Sequence, residues 1–193
     1  ELPDGGVDLH GRTHPQRDLA GFLDLADRLG LRAIVRPGPF IMAEVKNEGI
    51  PYRVYDDAPE VLPTTWDGAP VTTRTIDYLA PAFTAAVEDW YAAVMPLVAG
   101  RRADRGGPVV AVQLDNEIGM LSWVTNSPDL TDLVCADLAR WAVAAHGDRV
   151  AAARFGADPS DEAAWAEAVR RPAEDRALAV HQDLGLYMRD RYR

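Results

Sequence analysis

The feature that most constrains this chain is a repeated alternation of an amphipathic helix with a short apolar strand. Residues 16–30, QRDLAGFLDLADRLG, set Leu19, Phe22, Leu23, Ala26 and Leu29 on one helical face with charges opposite, and Gly30 is a natural stop. LRAIVR, Leu31 to Arg36, follows at once, and Pro37-Gly38-Pro39 ends it. The order then repeats. After a stretch rich in Pro, Gly, Asp and Thr from Phe40 to about Thr75, the spacing predicts a helix over about Ile76–Val98. Its buried side carries Leu79, Phe83, Val87, Trp90, Tyr91 and Val94, while Pro81 and Pro96 argue for a late start or kink and a frayed last turn. A polar turn from Gly100 to Pro108 leads into a second apolar strand over Val109–Leu114. Helix, strand, long loop, helix, strand is the pattern of a parallel sheet with crossover helices, an α/β fold. Beyond Glu117 the pattern is helical again, over about 129–145, 161–170 and 173–193, with no repeat period.

Both strands end on polar side chains. The first carries Arg36 at its end with Glu44 a few residues on; the second, in GPVVAVQLDNEIG, runs into Gln113, Asp115, Asn116 and Glu117. A run as apolar as Val109–Val112 reads as a buried strand. Its acidic end is open to two readings, a solvated turn or a carboxylate delivered to a site at the mouth of a barrel. Strand alternation puts Gln113, Asp115 and Glu117 on one face and Asn116 on the other, so a bulge or tight turn near Asn116 is required for Asn116 and Glu117 to reach one site. Two carboxylates from neighbouring strand ends suit glycosidic chemistry, where one is a proton donor and the other is ionised. Partial burial at the edge of an apolar strand raises a Glu pKa and makes it a better acid.

Composition narrows the classes. The 193 residues are 48% hydrophobic and 26% charged, a globular mix, with a formal net charge of -10. An acidic chain without a basic run is a poor partner for nucleic acid or an anionic membrane. No apolar run reaches the roughly 18 residues that span a bilayer. The one cysteine, Cys135, excludes an internal disulfide and reads as a buried core residue; the lack of a disulfide framework fits the cytoplasm better than secretion. No signal peptide is visible, though the chain opens without Met.

FLDLADRLGLRAIVRPGPFIMAE, followed later by GGPVVAVQLDNEIG, resembles the family 35 glycoside hydrolases, the β-galactosidases of the retaining (β/α)8 clan, over about 18–117. The resemblance implies a partial (β/α)8 barrel running from the end of strand 2 (GGVDLHG) through helix 4, with long βα loops, as one fragment over residues 1–193. It implies a retaining, exo-acting β-galactosidase without cofactor or metal, with Glu117 as general acid/base and Asn116 holding the sugar 2-hydroxyl. Met42, Ala43 and Glu44 match the segment lining the galactose pocket, with Glu44 accepting from ring hydroxyls. The family commonly has Cys where this chain has Met42, and Trp where it has Val45, two departures that bear on sugar selectivity. The nucleophile expected by resemblance is a second Glu on the seventh strand, outside this chain, so the chain alone is expected to be inactive.

Other residues have plainer readings. His10 and His14 lie in a broken loop rather than on a helix and read as loop histidines, not metal ligands. His146 reads as a helix C-terminal residue and His181 as a surface one. Trp66, Trp123 and Tyr52 are candidates for stacking on sugar, and Asp115 for a local hydrogen-bond partner. The competing functions are a carbohydrate-binding or non-catalytic barrel module, and a related β-glycosidase of different sugar specificity. A dinucleotide-binding oxidoreductase is disfavoured because no G-x-G-x-x-G follows either strand. Oligomeric state is not legible in the sequence.

Overall fold

The computed structural model describes residue 2 and residues 4–41, 45–64, 69, 71, 76–116 and 130–191. They fall into two compact units, Glu1–Pro59 with Pro81–Asn116, and Glu60–Ala80 with Glu117–Arg193.

The first unit contains α1 (Leu19–Arg28), β1 (Ala33–Gly38), α2 (Tyr52–Asp57), α3 (Pro81–Ala99) and β2 (Val109–Leu114). Asp18 starts α1 by accepting the Gly21 N–H at 2.8 Å, and Leu23 turns inward with Ala20 and Ala26. The helix α3 opens on Pro81, where a missing N–H costs nothing, so the late start expected from Pro81 is observed. Pro96 lies in its last turn, and Gly100 N–H bonds back to the Pro96 carbonyl at 3.0 Å. The strands β1 and β2 pair in parallel, with Val35 beside Val112 and Ile34 beside Ala111. Leu23, Val94, Val98 and Val109 form the core between sheet and helices, with Val35, Val112, Trp90 and Tyr91 packed against it.

Several expectations are corrected. The first strand begins and ends two residues later than LRAIVR, because Leu31 N–H still closes α1 onto the Ala26 carbonyl. The long loop contains α2 and short 3-10 turns, which its mixed composition hid. Gly6–Asp8 of GGVDLHG is not strand; Asp8 accepts the N–H groups of His10, Arg12 and Thr13 and the Thr13 hydroxyl, closing a turn. These donors hold the Asp8 carboxyl well below the usual carboxylate range. The apolar run in β2 is not buried throughout. Within the described residues one face of the strand pair is covered by helices, and Ile34 (64%), Val110 (51%) and Leu114 (58%) stay exposed. Phe22 of α1 and Leu29 at its C-terminal cap are likewise exposed rather than buried.

The second unit is helical: α4 (Asp132–His146), α5 (Asp148–Phe155), α6 (Glu162–Val169) and α7 (Leu178–Arg191). Thr131 starts α4 by accepting the Val134 N–H, and its hydroxyl donates to buried Asp77 at 2.6 Å. Burial pushes the Asp77 carboxyl up, against the pull of its bonds from Thr131 and the Leu79 N–H. Val134, Cys135, Leu138, Trp141, Trp165, Val169, Leu184 and Tyr187 share one core. Cys135 is buried in it, as expected. The helix α5 has no counterpart in the sequence pattern: it starts directly after Gly147, a break that reads in sequence as an end rather than a corner. His146 is the last residue of α4 and His181 is exposed on α7.

Candidate active site

The carboxyl ends of β1 and β2 lie side by side, because the parallel pairing, after a register shift between Val35 and Gly38, brings Gly38 next to Leu114. Ile34 pairs with Ala111 and Val35 with Val112; just beyond, where the register shifts, the Arg36 and Gln113 side chains are exposed. Helix α3 secures this edge from the other side. Trp90 Nε1 donates to the Pro37 carbonyl at 2.7 Å, and the Tyr91 hydroxyl donates to the Gly38 carbonyl at 2.6 Å. Gly38 O also accepts the Asp115 N–H at 3.1 Å, so one carbonyl joins helix and both strand ends.

At Asp115 the strand breaks. Its φ is 60°, the left-handed region that a non-glycine residue enters at a cost of about 1–2 kcal/mol. The side chain helps to hold that conformation: Asp115 Oδ1 accepts the Asn116 N–H at 2.9 Å. Asp115 is buried, and its charge adds to burial in raising the Tyr91 phenol pKa. It is a local hydrogen-bond partner, as read from sequence.

The turn required near Asn116 is therefore present, and its effect is visible. Regular alternation would put Asn116 opposite Gln113; instead Gln113 Nε2 donates to Asn116 Oδ1 at 3.0 Å. Arg36 Nη2 donates to the same oxygen at 2.5 Å and to the Ile41 carbonyl at 3.1 Å. Gln113 Nε2 also reaches the Asp115 carbonyl at 3.3 Å. Arg36 carries donors only, so the oxygen of the Asn116 amide is the end that faces the guanidinium, and Gln113 Nε2 donates to the same atom.

Of the residues singled out in the sequence, Asn116 joins this cluster. Met42, Ala43, Glu44 and Glu117 lie outside the described residues, as do Trp66 and Trp123. Tyr52 is exposed at the start of α2. His14 Nδ1 accepts the Gln16 N–H and so serves a local turn. Among the described residues no group of three His, Cys, Asp or Glu side chains is placed to hold a metal ion, and no helix is long and apolar enough to cross a membrane. The sequence places Trp90 and Tyr91 on the buried side of a helix and Arg36 and Gln113 at strand ends, but gives none of the four its hydrogen-bond partner. The available signal was that Arg36 and Gln113 are polar residues within otherwise apolar strands, near corresponding ends of a parallel pair.

The profile of the glycosyl hydrolases family 35 matches residues 4–145. An exo-beta-D-glucosaminidase of Thermococcus kodakarensis is 42% identical over 132 residues, 66% of this chain and 16% of that protein. A beta-1,2-glucosyltransferase of Ignavibacterium album is 32% identical over 130 residues, 67% of this chain and 18% of its own. A beta-galactosidase of Mus musculus is 35% identical over 103 residues, 53% and 14% of the two lengths. The chain thus spans less than about a fifth of these curated relatives. A match over well more than half the chain, containing both strands and the polar cluster at their ends, places this protein in glycosyl hydrolases family 35.

Proposed function

We propose that this chain supplies part of the active site of a retaining, exo-acting β-glycoside hydrolase that cleaves β-galactosides. In this reading β1 and β2 are adjacent strands of a (β/α)8 barrel, and residues 1–193 are one fragment of that catalytic domain. The observation that carries it is the convergence of Arg36, Gln113 and Asn116 at the carboxyl ends of two parallel strands, the edge where barrel enzymes hold their sites. Glu117, next in the chain, is the general acid/base. It gives its proton to the glycosidic oxygen as the C–O bond breaks, while a second carboxylate attacks the anomeric carbon. It then takes a proton from the water that attacks the glycosyl-enzyme, and the sugar leaves with net retention. The nucleophile is a Glu outside these residues. Met42, Ala43 and Glu44 line the sugar pocket, with Glu44 accepting from ring hydroxyls.

Two relatives named exo-beta-D-glucosaminidase, 42% and 40% identical, raise a second reading in which the sugar carries a 2-amino group. The amide of Asn116 favours the first. Its oxygen already accepts two donors, so what it offers to the 2-position is an N–H, suited to a hydroxyl and not to an ammonium.

The test is hydrolysis by the full-length gene product of aryl β-galactosides and aryl 2-amino-β-glucosides. The galactoside is expected to have the higher kcat/KM; the reverse order overturns the sugar assignment. Glu117→Gln is expected to slow substrates with poor leaving groups by at least about 100-fold more than activated ones. Equal slowing of both overturns the acid role.

A further inference from the structure

We infer that Arg36 and Gln113 are positioning residues that lock the Asn116 amide in one orientation and thereby set the recognition of the sugar 2-position. The inference rests on the reading of Asn116 as the residue that meets that position.

A free asparagine amide is ambiguous. Rotated by 180°, it exchanges an acceptor for two donors with little change of shape, and so can meet a hydroxyl in either sense. Here the rotation is blocked electrostatically. Arg36 has no acceptor, so turning the amide would set its Nδ2 hydrogens against the guanidinium at the 2.5 Å contact. Gln113 adds a second donor to the same oxygen at 3.0 Å, and its other Nε2 hydrogen is directed at the Asp115 carbonyl. Both lone pairs of Asn116 Oδ1 are then used.

The guanidinium is itself held. Its Nη2 is shared between Asn116 Oδ1 and the Ile41 carbonyl, in the segment that follows β1. Arg36 therefore ties the loop after one strand to the turn after the next, across 80 residues of sequence. The left-handed turn at Asp115 completes the arrangement by bringing Asn116 to the Arg36–Gln113 face. Two side chains, Arg36 and Gln113, and one strained residue, Asp115, fix a single amide as a donor.

The test measures kcat/KM of the full-length gene product on an aryl β-galactoside and on its 2-deoxy analogue. For Arg36→Met we expect a loss of roughly 10-fold on the 2-hydroxy substrate, the scale of one mis-set hydrogen bond to a transition state, and less than about 2-fold on the 2-deoxy substrate. Gln113→Met follows the same pattern with a smaller loss, roughly 2- to 5-fold, and Arg36→Lys restores part of the discrimination. In the double variant with Asn116→Ala, Arg36→Met adds no further loss on either substrate. If Asn116→Ala is selective for the 2-hydroxy substrate while both Arg36→Met and Gln113→Met slow the two substrates equally, the lock is overturned and the site reading stands. If Asn116→Ala itself slows both equally, or the product turns over neither substrate, the reading of Asn116 fails and the lock with it.

Discussion

In the helical unit, Asp183 of α7 is wholly buried, and its carboxylate is met by helices on either side. Arg154 of α5 approaches both oxygens, Nε to Oδ2 at 2.7 Å and Nη2 to Oδ1 at 3.0 Å, and His146 Nε2 lies 3.1 Å from Oδ1. The pair is asymmetric, because Asp183 is 0% exposed and the Arg154 side chain 31%. Removing Asp183's charge leaves a cation that water can still reach; removing Arg154 leaves an anion that water cannot reach. Arg154→Met should therefore cost the upper range for breaking a buried pair, about 3–5 kcal/mol. Asp183→Asn loses charge-assisted hydrogen bonds but strands no anion, and should cost about 1.5–3 kcal/mol. The double variant should be more stable than Arg154→Met alone, by on the order of 1–2 kcal/mol, since the stranded charge is gone. Arg154→Lys, which keeps a cation but not the two-pronged contact, should cost the least. Urea unfolding at pH 7 can be followed by tryptophan fluorescence. Trp141 stands edge-on to His146 with ring centroids 5.9 Å apart, and Trp165 lies in the same core. The result that refutes the reasoning is Asp183→Asn costing as much as Arg154→Met, or the two losses adding in the double variant. Either would mean that burial of the carboxylate does not control the balance. The family match ends at residue 145, so this contact joins α4 to helices beyond the matched stretch.

Burial raises the Asp77 carboxyl pKa above 3.8, so the native state binds more protons than the unfolded chain from that pH up through the raised value. Its contribution to stability is fully present below 3.8 and weakens as pH rises through that window; thermal melts of Asp77→Asn should show a smaller penalty at pH 7 than at pH 4. A penalty that grew with pH would contradict the burial argument. A Cβ at Gly107 would run into the Arg101 backbone carbonyl, whose oxygen accepts the Val109 N–H at 3.0 Å at the start of β2. Gly107→Ala should cost about 2–3 kcal/mol in urea unfolding. Gly30→Ala, where φ is +68° and nothing lies within 4 Å, should cost only about 1–2 kcal/mol.

The periodicities of the sequence carry the order of elements because burial on one face leaves a signature at 3.6 or 2 residues; thus β2 was legible to the residue and α3 apart from its start. Burial itself was less legible. The same apolar run in β2 fits a strand covered on one face or on both, and only the neighbours decide which. At the site, hydrophobic pattern has nothing to say about a single φ. Extrapolated alternation puts Asn116 with the face opposite Gln113, and one left-handed residue, Asp115, reverses that assignment. What sequence could supply was the demand for a turn there, deduced from two polar residues needing one site. The reason the turn is tolerated lies in groups far apart in sequence: the Gly38 carbonyl that takes the Asp115 N–H, the Tyr91 hydroxyl on that same carbonyl, and the Arg36 guanidinium that holds Asn116 once it has turned. The strain at Asp115 is thus borne by a network built on β1 and α3. Substitutions at Arg36 or Tyr91 should act on Asn116 as directly as changes within the QLDNE segment itself.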